Sequence, residues 1–263
     1  MSGTPWDGQW DDPLFRALAV GGQLVSMGAF VAFAAPLTLL AWRDPAWARR
    51  YRIQSRRPRA QQLVGPSIGR WLVNNALLGV VITVAWPWLR PGRVGLGPLP
   101  APWVVVAELF AFAALDDFLY YWMHRALHTR WLFKKIHGVH HRIVTPWAIT
   151  GHYMHPLEYV ATGLLMLAGP ALFGAHVFTA WLWIVLRQWE AAEGHSGYAL
   201  PWSPSKLFPG SDGAVHHDAH HARVHGNFAG YFPHTDRWFG TLVRGYAELR
   251  LRRATTPEPE GEP

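Results

Sequence analysis

The chain has 263 residues, half of them hydrophobic and only 16% charged, with 16 tryptophans and no cysteine. A charged content below the roughly 25% of soluble domains points to a membrane protein, and the lack of cysteine excludes disulfides and thiolate ligands, leaving nitrogen and oxygen donors for any metal. The net charge of +7 comes mostly from arginines placed between apolar runs, which fits the charge bias of cytoplasmic loops better than a nucleic-acid surface.

Met1 to Pro13 is polar and acidic, unlike the basic start of a cleavable signal peptide. Ala17 to Trp42 is then uncharged throughout and long enough to cross a bilayer core, which needs about 20 apolar residues. Arg43, Arg49, Arg50, Arg52, Arg56, Arg57, Arg59 and Arg70 follow it, which places that end in the cytoplasm and the N-terminus outside. Trp71 to Leu89 reads as a second span, with Trp86 and Trp88 as interface anchors. Pro91 to Pro102 reads as a short outer loop, and Trp103 to about Trp122 as a third span carrying Glu108, expected to face the bundle.

The third span runs into histidines. His124 and His128 stand four apart, and His137, His140 and His141 follow at i, i+3 and i+4; on a helix such spacings share a face. A second H-x-x-H-H occurs at His217, His220 and His221. Imidazole suits first-row transition metals. Eight histidines exceed the four ligands of a tetrahedral zinc and suit two ions side by side. A histidine-rich tag or low-complexity tract would lack these spacings and the interleaved aromatic residues.

Between Glu158 and Arg187 the chain is again uncharged, too long for one span and too short for two full ones, with Gly169, Pro170 and Gly174 as breaks. One shared metal site needs an even number of crossings, so Pro156 to Glu190 is expected to be a short or re-entrant helical hairpin, with His176 structural and on the far side. Gly194 to Leu251 is polar enough for a cytoplasmic cap, and Asn227 to Thr241 is expected to pack its aromatic residues on the cap or the membrane interface. The expected fold class is an all-α integral membrane protein, a transmembrane helix bundle with a cytoplasmic histidine-rich helical cap. Its parts are residues 1–102 with two spans and the Arg-rich loop, residues 103–251 as the catalytic domain, and residues 252–263 as a disordered tail.

The segments Y-Y-W-M-H-R-A-L-H, H-G-V-H-H, H-P-L-E at His155 to Glu158, E-A-A-E-G-H-S-G-Y at Glu190 to Tyr198, H-D-A-H-H at His217 to His221 and T-D-R-W-F-G-T at Thr235 to Thr241 resemble the fatty acid hydroxylase/sterol desaturase superfamily, in the family's order, from about Asp117 to Thr241. The resemblance implies an integral membrane di-iron oxygenase with its histidine boxes on the cytosolic side. It implies His124, His128, His137, His140, His141, His217, His220 and His221 as ligands of two Fe ions, His195 as a further ligand, and His155 as a neighbour of the site. Ligating histidines usually donate their other N–H to a carboxylate or carbonyl, and Asp117, Glu158, Glu190, Asp218 and Asp236 are candidates for that role. His152, His216, His225 and His234 are expected at the surface or in hydrogen bonds.

The implied reaction is O2-dependent hydroxylation or desaturation of a lipid taken from the bilayer: a sterol, fatty acyl chain or terpenoid, with the sterol methyl oxidase side closest. Electrons are expected from an external donor, a ferredoxin, cytochrome or reductase. A histidine-rich metal transporter would instead line its spans with ionisable residues, and a membrane zinc hydrolase would carry H-E-x-x-H, which is missing here.

Overall fold

The computed structural model describes residues 4–54 and 60–254. Arg56, Arg57 and Arg59 of the Arg-rich loop, and residues 255–263 of the expected tail, lie outside the described residues. Eleven α-helices run in order among the described residues, with no β-strand: α1 Gly22–Arg43, α2 Ala46–Arg49, α3 Ala60–Leu89, α4 Pro102–Leu127, α5 Arg130–Lys135, α6 Pro156–Met166, α7 Ala168–Phe173, α8 Val177–Gly194, α9 Ala214–Arg223, α10 His234–Trp238 and α11 Tyr246–Ala254. Residues 252–254, expected as the start of the tail, are the last residues of α11.

Three helical stretches are long and apolar enough to cross a bilayer: Phe15–Arg43, Gln62–Leu89 and Pro156–Phe173. The first is α1 extended by a π-helical turn over Phe15–Gly21. It ends where Asp44 adopts the left-handed conformation (φ 44°) and pairs with Arg49 and Arg52. Leu24, Val31, Val73 and Val80 point outward from α1 and α3, the apolar surface that a lipid environment accepts.

Two expected boundaries move. α3 starts at Ala60 rather than Trp71, so Arg70 lies on a helix, not in the loop, and donates from Nη1 to the Met154 carbonyl at 3.4 Å. α4 forms over the expected third span but is not among the strongly apolar helices, because it carries Glu108, Asp116 and Asp117. Asp116 and Asp117 are buried in protein and have partners there: Arg187 for Asp116, and three backbone N–H groups for Asp117.

The hairpin forms as α6 and α7, a turn at Gly174 (φ 69°), then α8. His176 caps α8: its Nδ1 accepts from Phe178 N, and Nε2 bonds the Gly97 carbonyl at 3.0 Å. α8 packs along α1 and reaches α4 and α9, so it links the apolar helices to the histidine-bearing ones. A core of Phe30, Trp71, Trp147, Met154, Tyr159 and Tyr198 seals that junction.

Candidate metal centre

Nine imidazoles meet in two adjoining groups. His124, His128, His137, His141 and His220 form one; His140, His195, His217 and His221 form the other. Within each group the nitrogens lie within 4.8 Å of one another. Eight of the nine are buried, and His128 is half-buried. α4 supplies His124 and, at its C-cap, His128. The H-G-V-H-H segment is a 3-10 helix over His137–Arg142, not the α-helix that its spacing suggested. The segment sits between the groups, with His137 and His141 in one and His140 in the other. α9 is similarly split, His220 from His217 and His221. His195 is the C-cap of α8.

Hydrogen bonds fix which nitrogen of several rings is free. Nδ1 of His124, His195, His220 and His221 lies 2.7–2.8 Å from the carbonyls of Phe228, Ala191, Gly226 and Ile143. A carbonyl only accepts, so each Nδ1 carries the proton and each Nε2 presents a bare lone pair. His137 Nδ1 does the same to Glu158 Oε1 at 2.7 Å. The Nε2 atoms then face each other: His137 lies 3.1 Å from His124, and His195 lies 3.1 Å from His221. Two lone pairs cannot hydrogen-bond one another, so this arrangement calls for a shared cation. Metal–nitrogen bonds of about 2.1 Å place neighbouring ligands about 3.0 Å apart at right angles and about 3.4 Å apart in a tetrahedron. The closest Nε2 pairs stand 2.9–3.2 Å apart. The donor set thus fits ions with octahedral edges and all-nitrogen neutral ligands better than tetrahedral zinc.

Burial favours the neutral rings that a metal requires. It pushes His124 and His195 down to about 4 and His141 to about 3, and holds His140, His217, His220 and His221 well below the ordinary imidazole range, with neighbouring imidazoles adding to the effect.

Of the carboxylates singled out from the sequence, Glu158 touches an imidazole of the two groups. Asp117 instead accepts N–H bonds from Gly230, Tyr231 and Phe232, the closest at 2.6 Å. Asp236 accepts from Phe228 N, Ala229 N and Thr241 Oγ1, and lies 3.2 Å from His216 Nε2. Glu190 pairs with Arg187 one helical turn earlier, because a buried guanidinium needs its own counter-charge. Asp218 accepts from Gln54 Nε2 at 2.8 Å, tying the chain ahead of α3 to α9. His155 does not join either group; its Nδ1 caps α6 by accepting from Leu157 N, which sets the helix that carries Glu158.

The aromatic-rich stretch from Asn227 to Thr241 does more than pack. Its Phe228 carbonyl orients His124 and the carbonyl of Gly226, just before it, orients His220, and Asp117, Asp236 and Asn227 clamp it: Asn227 donates to the His216 carbonyl and accepts from Val243 N. Asn227 has φ 54° and Gly226 φ 106°, and a Cβ on Gly226 would lie 2.4 Å from the Thr241 carbonyl. The T-D-R-W-F-G-T motif was the only sequence signal for this clamp. Gly151 is also dictated by the site, since a Cβ there would meet His195 Nδ1 at 2.8 Å and the Ala191 carbonyl at 3.1 Å. His152 and His216 are buried rather than at the surface, His152 stacked on Phe30 at 3.9 Å. His225 is exposed, and His234 stacks between Phe232 and Trp238.

Beside the second group lies a narrow, partly open cleft of about 60 Å³, lined by residues of α1, α3, α4, α6 and α8 and by His195 and His217. Leu78, Met154, Tyr159, Met166 and Ala191 form its apolar walls.

A fatty acid hydroxylase family profile matches residues 109–241, the stretch that holds all nine imidazoles. The chain belongs to the fatty acid hydroxylase family. Within this family it is similar to methylsterol monooxygenase 2-1 of Arabidopsis thaliana, 35% identical over 257 residues that cover 89% of this chain and 93% of the relative. Methylsterol monooxygenase 2-2 of the same plant is 37% identical over 87% of this chain and 89% of its own. Very-long-chain aldehyde decarbonylase GL1-11 of Oryza sativa subsp. indica is 48% identical over 147 residues, 55% of each chain. The chain thus spans about half the length of the decarbonylase it matches. No solved structure matches significantly.

Proposed function

We propose that this protein is a multi-pass membrane di-iron oxygenase that hydroxylates a lipid with O2, its histidine boxes on the cytoplasmic side and residues 103–251 its catalytic domain. The observation that supports this most is the convergence of lone-pair-bearing imidazoles at octahedral-edge spacing beside an apolar cleft. In this reading His124, His128, His137, His141 and His220 hold one iron, and His140, His195, His217 and His221 the other. Iron supplies redox activation of O2, which zinc lacks.

The protein's own residues supply the rest. The carbonyls of Phe228, Ala191, Gly226 and Ile143 lock the ring orientations, and Glu158 does so for His137. The cleft walls bring an apolar substrate against His195 and His217 and exclude water. Overall, a C–H bond, O2, two electrons and two protons give an alcohol and water; a ferredoxin, cytochrome or reductase delivers the electrons. The methylsterol monooxygenase relatives favour a sterol-like lipid and hydroxylation over desaturation.

Metal analysis of purified protein and turnover under oxygen-18 gas test this. The expected result is about two irons per chain and label in the lipid product. Zinc in place of iron, or a preparation without metal, would sink the di-iron reading. A product that gains a double bond and no label would move the reaction to desaturation and leave the metal assignment standing.

A further inference from the structure

The cleft is not uniformly apolar. Arg187 and Glu190 line it, but they are engaged with each other, and Arg187 also faces Asp116 with Nε 3.2 Å from a carboxylate oxygen. Thr162 Oγ1 donates to the Glu158 carbonyl. Apart from His217, and from Arg187 whose Nε faces the Asp116 carboxylate, two side chains lining the cleft keep a buried polar atom without a hydrogen-bond partner among the described residues: Gln188 Oε1 and His152 Nδ1. Gln188 is 7% exposed and His152 6%. Gln188 is fixed in orientation, because its Nε2 donates to Ser26 Oγ on α1 at 2.9 Å, which leaves the carbonyl oxygen as a free acceptor. His152 is fixed by its stack on Phe30 and an edge contact with Tyr159. Buried polar atoms are nearly always paired, so an unpaired set beside a ligand cleft marks where a ligand's polar group belongs.

We propose that Gln188 and His152 are specificity-determining residues that bind one neutral hydroxyl of an otherwise apolar lipid, so that the C–H bond attacked lies near the oxygen-bearing end of that lipid. A hydroxyl can donate to the Gln188 carbonyl and share its remaining proton-bonding capacity with His152, a pairing that neither a hydrocarbon nor a carboxylate reproduces. A carboxylate is disfavoured because Arg187, the one Arg or Lys lining the cleft among the described residues, already faces Asp116 and Glu190. The placement of the reaction follows from the lining itself, since the same cleft contains Gln188, His152, His195 and His217. This inference rests on the cleft being the lipid site of the proposed oxygenase.

The test is binding to the purified, metal-loaded protein in detergent. Its probes are a ring-methylated 3-hydroxysterol and its 3-deoxy counterpart, together with hexadecanol and hexadecanoic acid. In the native protein at least one alcohol should bind about tenfold to a hundredfold tighter than its partner without the hydroxyl or with the carboxylate. Gln188→Leu should bring that ratio close to one. His152→Phe, which keeps the stack on Phe30, should lower it severalfold, and Gln188→Asn should restore part of it. Saturable binding of neither alcohol, equal binding of both members of each pair, or an undiminished ratio in both Gln188→Leu and His152→Phe overturns the proposal. Metal content, measured on every variant, separates misfolding from lost recognition. Iron content and oxygen-18 incorporation report on the oxygenase reading, whereas the binding ratio reports on the anchor alone.

Discussion

Glu158→Ala isolates the carboxylate that orients a proposed ligand. Glu158 and His137 are 4% and 1% exposed, and Glu158 Oε1 accepts from His137 Nδ1 at 2.7 Å. Alanine leaves that N–H buried and unpaired, a loss of about 1–3 kcal/mol. Removing such an outer partner commonly weakens metal binding about 10–100-fold, or roughly 1.4–2.8 kcal/mol, so the two routes to the magnitude agree. Glu158→Gln keeps an oxygen for His137 Nδ1 and should retain most of the affinity. The assay is chelator competition on the purified protein, followed by bound iron, with thermal unfolding as a check that the variants fold. A folded Glu158→Ala that gives up iron at the same chelator concentration as the native protein would refute the reasoning, because the imidazole would then be held by packing alone.

His195→Ala should lower iron content and abolish turnover, whereas His176→Ala, at the cap of α8, should do neither; full iron and full activity in His195→Ala would remove it from the ligand set. Gly151→Ala should mimic His195→Ala, since its Cβ meets the ring at 2.8 Å, and unchanged metal content would count against that placement. Reporters fused after residues 145 and 245 should both report cytoplasm, and opposite sides would break the hairpin and the shared site with it. Acidification should release the metal and destabilise the fold. The cluster imidazoles, held at about 4 in His124 and His195 by burial, lie below the 6.5 of an unfolded chain, so the unfolded state takes up protons first; stability is full above about pH 6.5 and falls toward pH 4, by about 1.4 kcal/mol per pH unit for each such ring. Unfolding midpoints that stay flat from pH 7.5 to 5 would contradict this.

Local composition and spacing made the apolar helices, the hairpin and the histidine segments legible in the sequence, because a bilayer span and a ligand box are both contiguous patterns. Helix ends were less so: α3 begins at Ala60 and carries Arg70, whose guanidinium donates to a tertiary partner, the Met154 carbonyl, that the sequence does not show. The partition of the imidazoles was invisible, since His137 and His140 are neighbours in one motif yet enter different groups, a split set by which helices pack on either side of the segment. The roles of the acids were equally hidden. Glu158 reaches His137 and Glu190 does not, because only the packed structure reveals that Arg187 already holds Glu190. The sequence by itself determined the donor chemistry, nitrogen from histidine with no thiolate, and the apolar setting. Only the tertiary structure decided which ring joins which group, which nitrogen is bare, and that Gln188 and His152 face the same cleft. Those facts depend on contacts between residues far apart in the chain, such as His124 with Phe228 and Gln188 with Ser26, which no local pattern encodes.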